Sequence, residues 1–312
     1  MSAGPSGYLG APRLWAVVGA TGTGKSALSL DLAEALGARG RGSEIVNADA
    51  MQLYRGMDIG TAKVPVAERR GIPHHLFDEV EPRDEATVAW YQERARETID
   101  AVLARGNDAI LVGGSGLYVS SVIFDFQFPP RDEALRAELE RECEAAGVGP
   151  LLERLRALAP AVAEAVDVRN PRRVVRALEV ALLGGDAQVV LPSEPVLWRE
   201  PTTIVGVSCP REELVARLDE RVREMWRGGL LAEVRGLIPR GIETGPTASR
   251  AIGYAQALAQ LAGSLSEEEA IAETQALTRR YARRQVSWFK RYPDVRWVDG
   301  PGQRVAATIV GE

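Results

Sequence analysis

Gly19-Ala20-Thr21-Gly22-Thr23-Gly24-Lys25-Ser26 carries the spacing G-x-x-x-x-G-K-[ST] of a loop that cradles phosphate. Glycines let the backbone close around an anion with several N–H groups pointing at it. A helix that begins there adds the positive end of its dipole. Lys25 supplies a point charge for phosphate oxygens, and Ser26 a hydroxyl for Mg²⁺. The chain of 312 residues has only three lysines, Lys25, Lys63 and Lys290, so a coincidental match is rare. The plainer reading is a glycine turn without a ligand, and the loop does not say which phosphate compound it holds. Two more groups could do chemistry. Asp49 is a catalytic carboxylate or a helix N-cap. Ser115, in Gly113-Gly114-Ser115-Gly116, is a phosphate or metal contact or an N-cap.

The elements around these residues read as α/β. An apolar run, Leu14 to Val18, leads into the glycine loop, and a helix follows it to about Leu36. A second apolar strand, Glu44 to Asn47, stops at Ala48-Asp49-Ala50. Ligands of a doubly wound parallel sheet sit at the carboxyl ends of its strands, which places Asp49 beside the loop. Met51 to Lys63 is polar and glycine-punctuated, a functional loop. His74 and His75 precede Leu76 to Val80, read as an edge strand. With no third ligand at a metal spacing, these histidines are structural. Val88, Tyr91, Ala95, Ile99 and Val102 mark one helix face. Ala109 to Val112 is a further strand, but Gly-Gly-Ser follows it where an ordinary P-loop ATPase carries a Walker-B Asp.

Pro129-Pro130 begins a wholly helical stretch, and Thr203 to Ser208 returns to the sheet. The expected organisation is a loose tail over 1–12, a P-loop-type core with a parallel sheet over 13–128 and 201–312, and an inserted all-helical domain over 129–200. The remainder is helix-rich. Its last long helix starts near Ser266, and from Arg279 to Tyr292 it holds six basic residues, four aromatics and no acid. That is a solvated face or an RNA-stacking surface, and in a chain of net charge −5 the concentration favours RNA. Hydrophobic content of 46% and charged content of 26% suit a soluble enzyme, and no apolar run is long enough for a membrane span. Cys143 and Cys209 form no disulfide framework or metal motif, which points to a reduced, cytoplasmic setting.

Taken together, GATGTGKS at 19–26, NADAMQLYRGMDIGTAK at 47–63, LVGGSGLY at 111–118, RRVVRALEV at 172–180, SRAIGY at 249–254 and RRQVSWFKR at 283–291 resemble the tRNA dimethylallyltransferase family. The resemblance runs from about residue 13 to 299. It implies transfer of a dimethylallyl group from dimethylallyl diphosphate to N6 of adenosine 37, next to the anticodon, in tRNAs reading codons that begin with U. It also implies a monomer with a channel through the core, the base entering one mouth and the donor the other, diphosphate on the P-loop. Asp49 would be the general base. Ser115 would act near diphosphate and metal, Arg136 would contact diphosphate or tRNA, and Mg²⁺ would sit at Ser26 and Ser115. The matching tRNA contacts are Asp49, Ala50, Met51, Gln52, Ser115, Arg136, Arg173, Arg176, Arg250, Gly253, Tyr254, Arg283, Arg284, Gln285, Trp288, Lys290 and Arg291. The chain departs from the family pattern at Ala20 (usually Pro), Ala50 (usually Ser), Val64 (usually Pro) and Ser115 (usually Thr). Three rivals share the loop: an enzyme that prenylates free adenine nucleotides, a small-molecule kinase, and a non-catalytic RNA-binding protein.

Overall fold

The computed structural model describes residues 10–125, 128–185 and 195–311. Most of the expected tail (1–9) and most of the Pro-containing stretch before Pro201 (186–194) lie outside the described residues. The chain divides into two compact units, Met1–Asp125 with Val196–Glu312, and Phe126–Pro195.

The first unit opens with β1 (Leu14–Gly19), α1 (Lys25–Gly37), β2 (Ser43–Asn47), β3 (His74–His75), α2 (Val88–Ala104), β4 (Asp108–Gly113) and α3 (Gly116–Ile123). The second unit holds α4 (Glu133–Ala146), α5 (Gly149–Leu158), α6 (Pro160–Ala165) and α7 (Pro171–Leu182). The chain then returns through β5 (Thr202–Ser208), α8 (Arg211–Arg227), α9 (Leu230–Leu237), α10 (Tyr254–Leu261), α11 (Glu267–Phe289), β6 (Arg296–Asp299) and α12 (Gln303–Gly311).

All strand pairs are parallel, in the order β3-β2-β4-β1-β5-β6. A parallel sheet is buried on both faces, and the alternation of β1 shows how. Leu14, Ala16 and Val18 belong to one core with Tyr91, Ile99, Val222 and Phe289. Trp15 and Val17 belong to the other, with Leu28, Leu32, Leu36, Ile309 and Val310. The second face is covered by α1 and α12 packed on each other. No helix among the described residues is long and apolar enough to cross a membrane.

The edge strand lies earlier than expected, at His74–His75 against Ile45 and Val46. Leu76 (φ 61°) and Asp78 (φ 58°) have left-handed backbones, so extended pairing stops there. His75 Nε2 lies 2.6 Å from Glu44 Oε2, and His74 Nδ1 lies 2.7 Å from the Ile72 carbonyl.

The long α11 starts on a capping box, with Ser266 Oγ accepting from Glu269 N and Glu269 Oε2 accepting from Ser266 N. Glu267, Glu268 and Glu269 place negative charge at its positive dipole end. Its buried face, Thr274, Ala282, Gln285 and Phe289, runs along the ends of the central strands. In the helical unit, Leu139, Leu151, Leu155, Val174 and Leu178 form a separate small core.

Candidate functional site

Three loops meet because their strands are neighbours. β1 ends in the glycine loop, β4 in Gly113-Gly114-Ser115, and β2 in Ala48-Asp49-Ala50. A Cβ on Gly113 would lie 2.2 Å from the Ala48 carbonyl oxygen, so glycine lets these ends touch. That contact brings Ser115 Oγ within 3.2 Å of Ala50 N, which donates to it. The bond uses only the backbone of residue 50, so alanine there leaves it intact. Ser115 stands at the N-cap position of α3 without a side-chain capping bond, and its Oγ is 3.5 Å from the Tyr281 hydroxyl. Gly113→Ala should lower stability by about 1–3 kcal/mol through overpacking and draw Ser115 away from Ala50. Chemical denaturation would measure this, and an unchanged midpoint would contradict the close approach.

Asp49 is held in a short polar turn. Asn47 Oδ1 accepts from Asp49 N at 2.9 Å, and Asn47 Nδ2 donates to the carbonyls of Asp49 (3.1 Å) and Leu76 (2.9 Å). Asp49 Oδ1 accepts from Met51 N at 2.9 Å. The buried Tyr91 hydroxyl donates to the Asn47 carbonyl at 2.8 Å. The carboxylate therefore closes its own turn with one oxygen, and its residue lines the cavities described next.

The glycine loop is gripped from several sides. The Ala20 carbonyl accepts from Thr23 Oγ1 (2.9 Å) and Lys25 Nζ (2.8 Å). Gln285 Oε1 accepts from Thr21 N (2.8 Å), Arg221 donates to Thr21 Oγ1 (3.2 Å), and Arg217 donates to the Gly22 carbonyl (2.8 Å). Gly24, at φ 96°, makes the left-handed step into α1. The first N–H groups of α1 have no acceptor within their own helix, and they open onto a cavity of about 370 Å³. Thr21, Gly24, Lys25, Ser26, Asp49, Gln52, Arg217 and Arg221 are in its wall.

A second cavity of about 290 Å³ shares Thr21, Asp49, Thr61 and Arg221 with the first. Its other walls are largely apolar and aromatic, with Met51, Val222, Met225, Tyr254 and Tyr281, together with Ser115, Arg250 and Arg284. Asp49 thus stands where a phosphate-lined space meets an apolar one. Burial and the nearby Asp49 push the Tyr281 phenol up to about 12, so it stays protonated at neutral pH.

Two arginines of α8, Arg217 and Arg221, line the first cavity and were missed in the sequence reading. They are one turn apart beside the buried stripe Leu214, Leu218, Val222, which is the only signal they leave. Burial lowers the Arg221 pKa, with Asp49 opposing, but a guanidinium remains a cation. Its Nε is buried without an acceptor among the described residues, and Nη2 reaches the Thr61 carbonyl only at 3.5 Å. Burial also brings Lys25 down to about 8, opposed by Asp49 and assisted by Arg221. Below that pH the ammonium can hold phosphate oxygens, and above it the charge is lost. We therefore expect kcat/KM for an anionic substrate to fall above about pH 8, while kcat holds to higher pH because the bound anion raises the pKa again. Lys25→Arg should remove this inflection, and an inflection that survives would belong to another group.

Other residues singled out from the sequence hold the surrounding loops together or face outward. Gln52 Nε2 donates to the Thr61 carbonyl at 3.1 Å, closing the 47–63 loop. Lys63 is buried and ties the same loop to Tyr54, Asp58 and Asp78. Gly253 N donates to Gln256 Oε1, and the buried Tyr254 donates to Glu233, whose other oxygen accepts from Asp58 N and Ile59 N. Besides Tyr254, two residues expected among RNA contacts have their side chains turned inward. Gln285 is 4% exposed and bonds two loops. Trp288 packs on Gly116 and donates from Nε1 to Ser120 Oγ at 3.1 Å. Both follow the inward stripe of α11, so helical phase and not charge decides their direction. Arg250, Arg283, Arg284, Lys290 and Arg291 are exposed.

Arg136, Arg173 and Arg176 lie in the helical unit. Arg136 pairs with Glu140 one turn on, at 3.0 Å, and Arg173 lies 4.0 Å from Asp167. Arg176 donates to the carbonyls of Pro129 and Pro130 and to the fully buried Glu179. Its guanidinium ties the start of the unit to α7.

The fold and the joined cavities define a P-loop-type α/β protein whose phosphate loop faces a carboxylate and opens onto a second, apolar chamber. The family model described as IPP transferase matches residues 52–292, and the chain belongs to that family. It is 61% identical to a tRNA dimethylallyltransferase of Clavibacter sepedonicus over 290 residues, covering 93% of this chain and 94% of the relative. The crystal structure of the full-length tRNA isopentenylpyrophosphate transferase of Bacillus halodurans is similar at a TM-score of 0.69 and 36% identity, over 96% of this chain and 94% of that one. A eukaryotic dimethylallyltransferase, described in crystallographic snapshots as acting on tRNA, is similar at a TM-score of 0.77 and 26% identity, over 94% of this chain and 75% of that one.

Proposed function

We propose that this chain transfers the dimethylallyl group of dimethylallyl diphosphate to N6 of the adenosine next to the anticodon of tRNA. The observation that carries the reading is the junction of the two cavities at Asp49, Thr21, Thr61 and Arg221. Diphosphate takes the glycine-loop side. The apolar chamber, with Tyr254 and Tyr281 in its wall, takes a flipped adenine. The names of the similar proteins support both substrates.

An exocyclic adenine amine is a weak nucleophile because its lone pair is delocalised into the ring. As N6 bonds to the allylic carbon, the bond from that carbon to the diphosphate oxygen breaks, and the N6 proton passes to Asp49. Lys25, Arg221 and the loop amides hold the charge that builds on the leaving group, where fixed donors act most strongly. Removing the base from its stack costs roughly a few kcal/mol, less in a loop than in a duplex.

Mg²⁺ fits the first cavity, where the Ser26 hydroxyl supplies a hard oxygen donor beside the phosphate loop. Bound there with the donor, the ion would neutralise leaving-group charge. No cluster of three or more His, Cys, Asp or Glu side chains suits a metal among the described residues, so phosphate oxygens would supply most of its ligands. Ser115 lines the other cavity, and its oxygen faces Ala50 N and Tyr281.

Arg280, Arg283, Arg284, Lys290 and Arg291 are exposed on or just beyond α11, and among the described residues they have no acidic partner. Such a surface suits an RNA backbone and favours tRNA over a free nucleotide. Nucleoside mass spectrometry tests this in cells whose own enzyme has been deleted. N6-dimethylallyladenosine should return to their tRNA with the wild-type chain, and its continued absence would refute the reading.

A further inference from the structure

Gln285 stands where neither charge nor stacking explains it. It lies on α11 between the exposed Arg284 and the half-buried Val286, yet it is only 4% exposed. Its side-chain amide makes two bonds in opposite senses. Oε1 accepts from Thr21 N, inside the phosphate loop, at 2.8 Å. Nε2 donates to the Gly114 carbonyl, in the loop after β4, at 2.7 Å. Gly114 has no room for a side chain here, since a Cβ would lie 2.4 Å from Nε2.

The residue type follows from the partners. Thr21 N needs an acceptor and Gly114 O needs a donor, at a reach set by the helix. A side-chain amide offers both while carrying no charge beside an anion site at any ordinary pH. The same helix turn carries Tyr281, whose hydroxyl is 3.5 Å from Ser115 Oγ, and Arg284, whose residue lines the apolar chamber. One helix therefore touches the phosphate loop, the Ser115 loop and the chamber together.

We infer that Gln285 is a positioning residue of the diphosphate site: its amide ties the phosphate loop to the β4 loop, so that donor binding, and not RNA binding, depends on it. The tie holds the Thr21 amide, leaving the loop's later amides and Lys25 facing the cavity. It also fixes Thr21 Oγ1, the acceptor of the Arg221 guanidinium. Without the tie, the loop's first turn and Arg221 lose their shared anchor, and the anion meets a looser nest. The inference deepens the proposed transfer reaction and rests on it for the identity of the donor.

The test compares wild type, Gln285→Glu and Gln285→Met. Glutamate keeps the acceptor for Thr21 N but turns a charged oxygen towards the Gly114 carbonyl. Methionine keeps the length and loses both bonds. Binding of inorganic pyrophosphate with Mg²⁺ is measured by calorimetry, tRNA binding by filter retention, and transfer by KM for dimethylallyl diphosphate. In both variants pyrophosphate affinity should fall, and donor KM rise, by about tenfold or more at about pH 8, as expected when a buried hydrogen bond is replaced by an unpaired group. The affinity for tRNA should stay within about twofold, because the amide does not face solvent.

Gln285→Glu adds a readout that mere packing would not move. A protonated carboxyl offers both an O–H for Gly114 O and a carbonyl for Thr21 N. Its donor KM, relative to wild type, should therefore recover as pH falls towards about 6, since burial raises a carboxyl pKa, whereas Gln285→Met should show no recovery. Unchanged pyrophosphate affinity in both variants would overturn the inference, as would a loss confined to tRNA binding. If neither variant folds by thermal melting, Gln285 serves the fold and the inference also falls. If wild type binds pyrophosphate in a Gln285-dependent way but transfers nothing to tRNA, the inference holds for the anion site, and the reading of the reaction is what fails.

Discussion

Asp49→Asn should lower kcat for transfer by about 10²–10⁴-fold, the usual contribution of a positioned general base. The substitution isolates basicity from structure. Asp49 Oδ1 accepts from Met51 N, and an asparagine oxygen can do the same, so the turn built on Asn47 persists. What disappears is the capacity to take a proton where the two cavities meet. Affinity for tRNA and KM for the donor should change by no more than about threefold, because a residue acting only in the transition state lowers kcat without changing ground-state binding. Single-turnover transfer at saturating substrates measures it. A variant within tenfold of wild type would remove Asp49 from the proton transfer and leave it as the cap of its turn.

Arg221→Gln should reduce kcat/KM for dimethylallyl diphosphate by about 10²–10³-fold, the cost typical of removing one fixed donor from a developing negative charge. Arg221 stands in both cavity walls, with its Nε buried and without an acceptor among the described residues. A phosphate oxygen would complete that set. Arg221→Lys should rescue little, since an ammonium cannot span Thr21 and the anion with a planar fork. Steady-state kinetics in donor concentration, together with pyrophosphate calorimetry, would show the loss in both KM and kcat. Equal donor affinity in wild type and Arg221→Gln would place the arginine in a purely structural role, holding Thr21 and Thr61.

The two arginines also show what a sequence conceals. Arg217 and Arg221 fall beside the buried stripe of α8, where charged residues usually face water. Only the fold reveals that this helix flank is turned to the phosphate loop. Gln285 was singled out, but as an RNA contact, because it sits in a run of arginines whose charge points to the solvent side, while its inward direction shows only in the fold. The loop from Gly19 to Ser26 was legible because its chemistry is local, as strand, turn and helix are consecutive in the chain. Asp49 and Ser115 were legible through topology, since both follow strands of a parallel sheet whose carboxyl ends gather ligands.

Where local backbone decides, the reading slipped. The edge strand was expected at Leu76 to Val80, but the left-handed residues at 76 and 78 end pairing after His75. β6 and α12 were not anticipated. The strand is four residues long and pairs with β5 far back in the chain, while α12 is held by α1 across the second face of the sheet. Such elements owe their stability to distant partners more than to their own pattern.

The central claim is that one site joins an allylic diphosphate to an adenine of RNA. The most direct measurement incubates the protein with Mg²⁺ and labelled dimethylallyl diphosphate, with unmodified tRNA in one tube and AMP in another. Label should enter tRNA alone, on N6 of the adenosine beside the anticodon. Label in AMP alone, or none in either while ATP is consumed, would contradict the account.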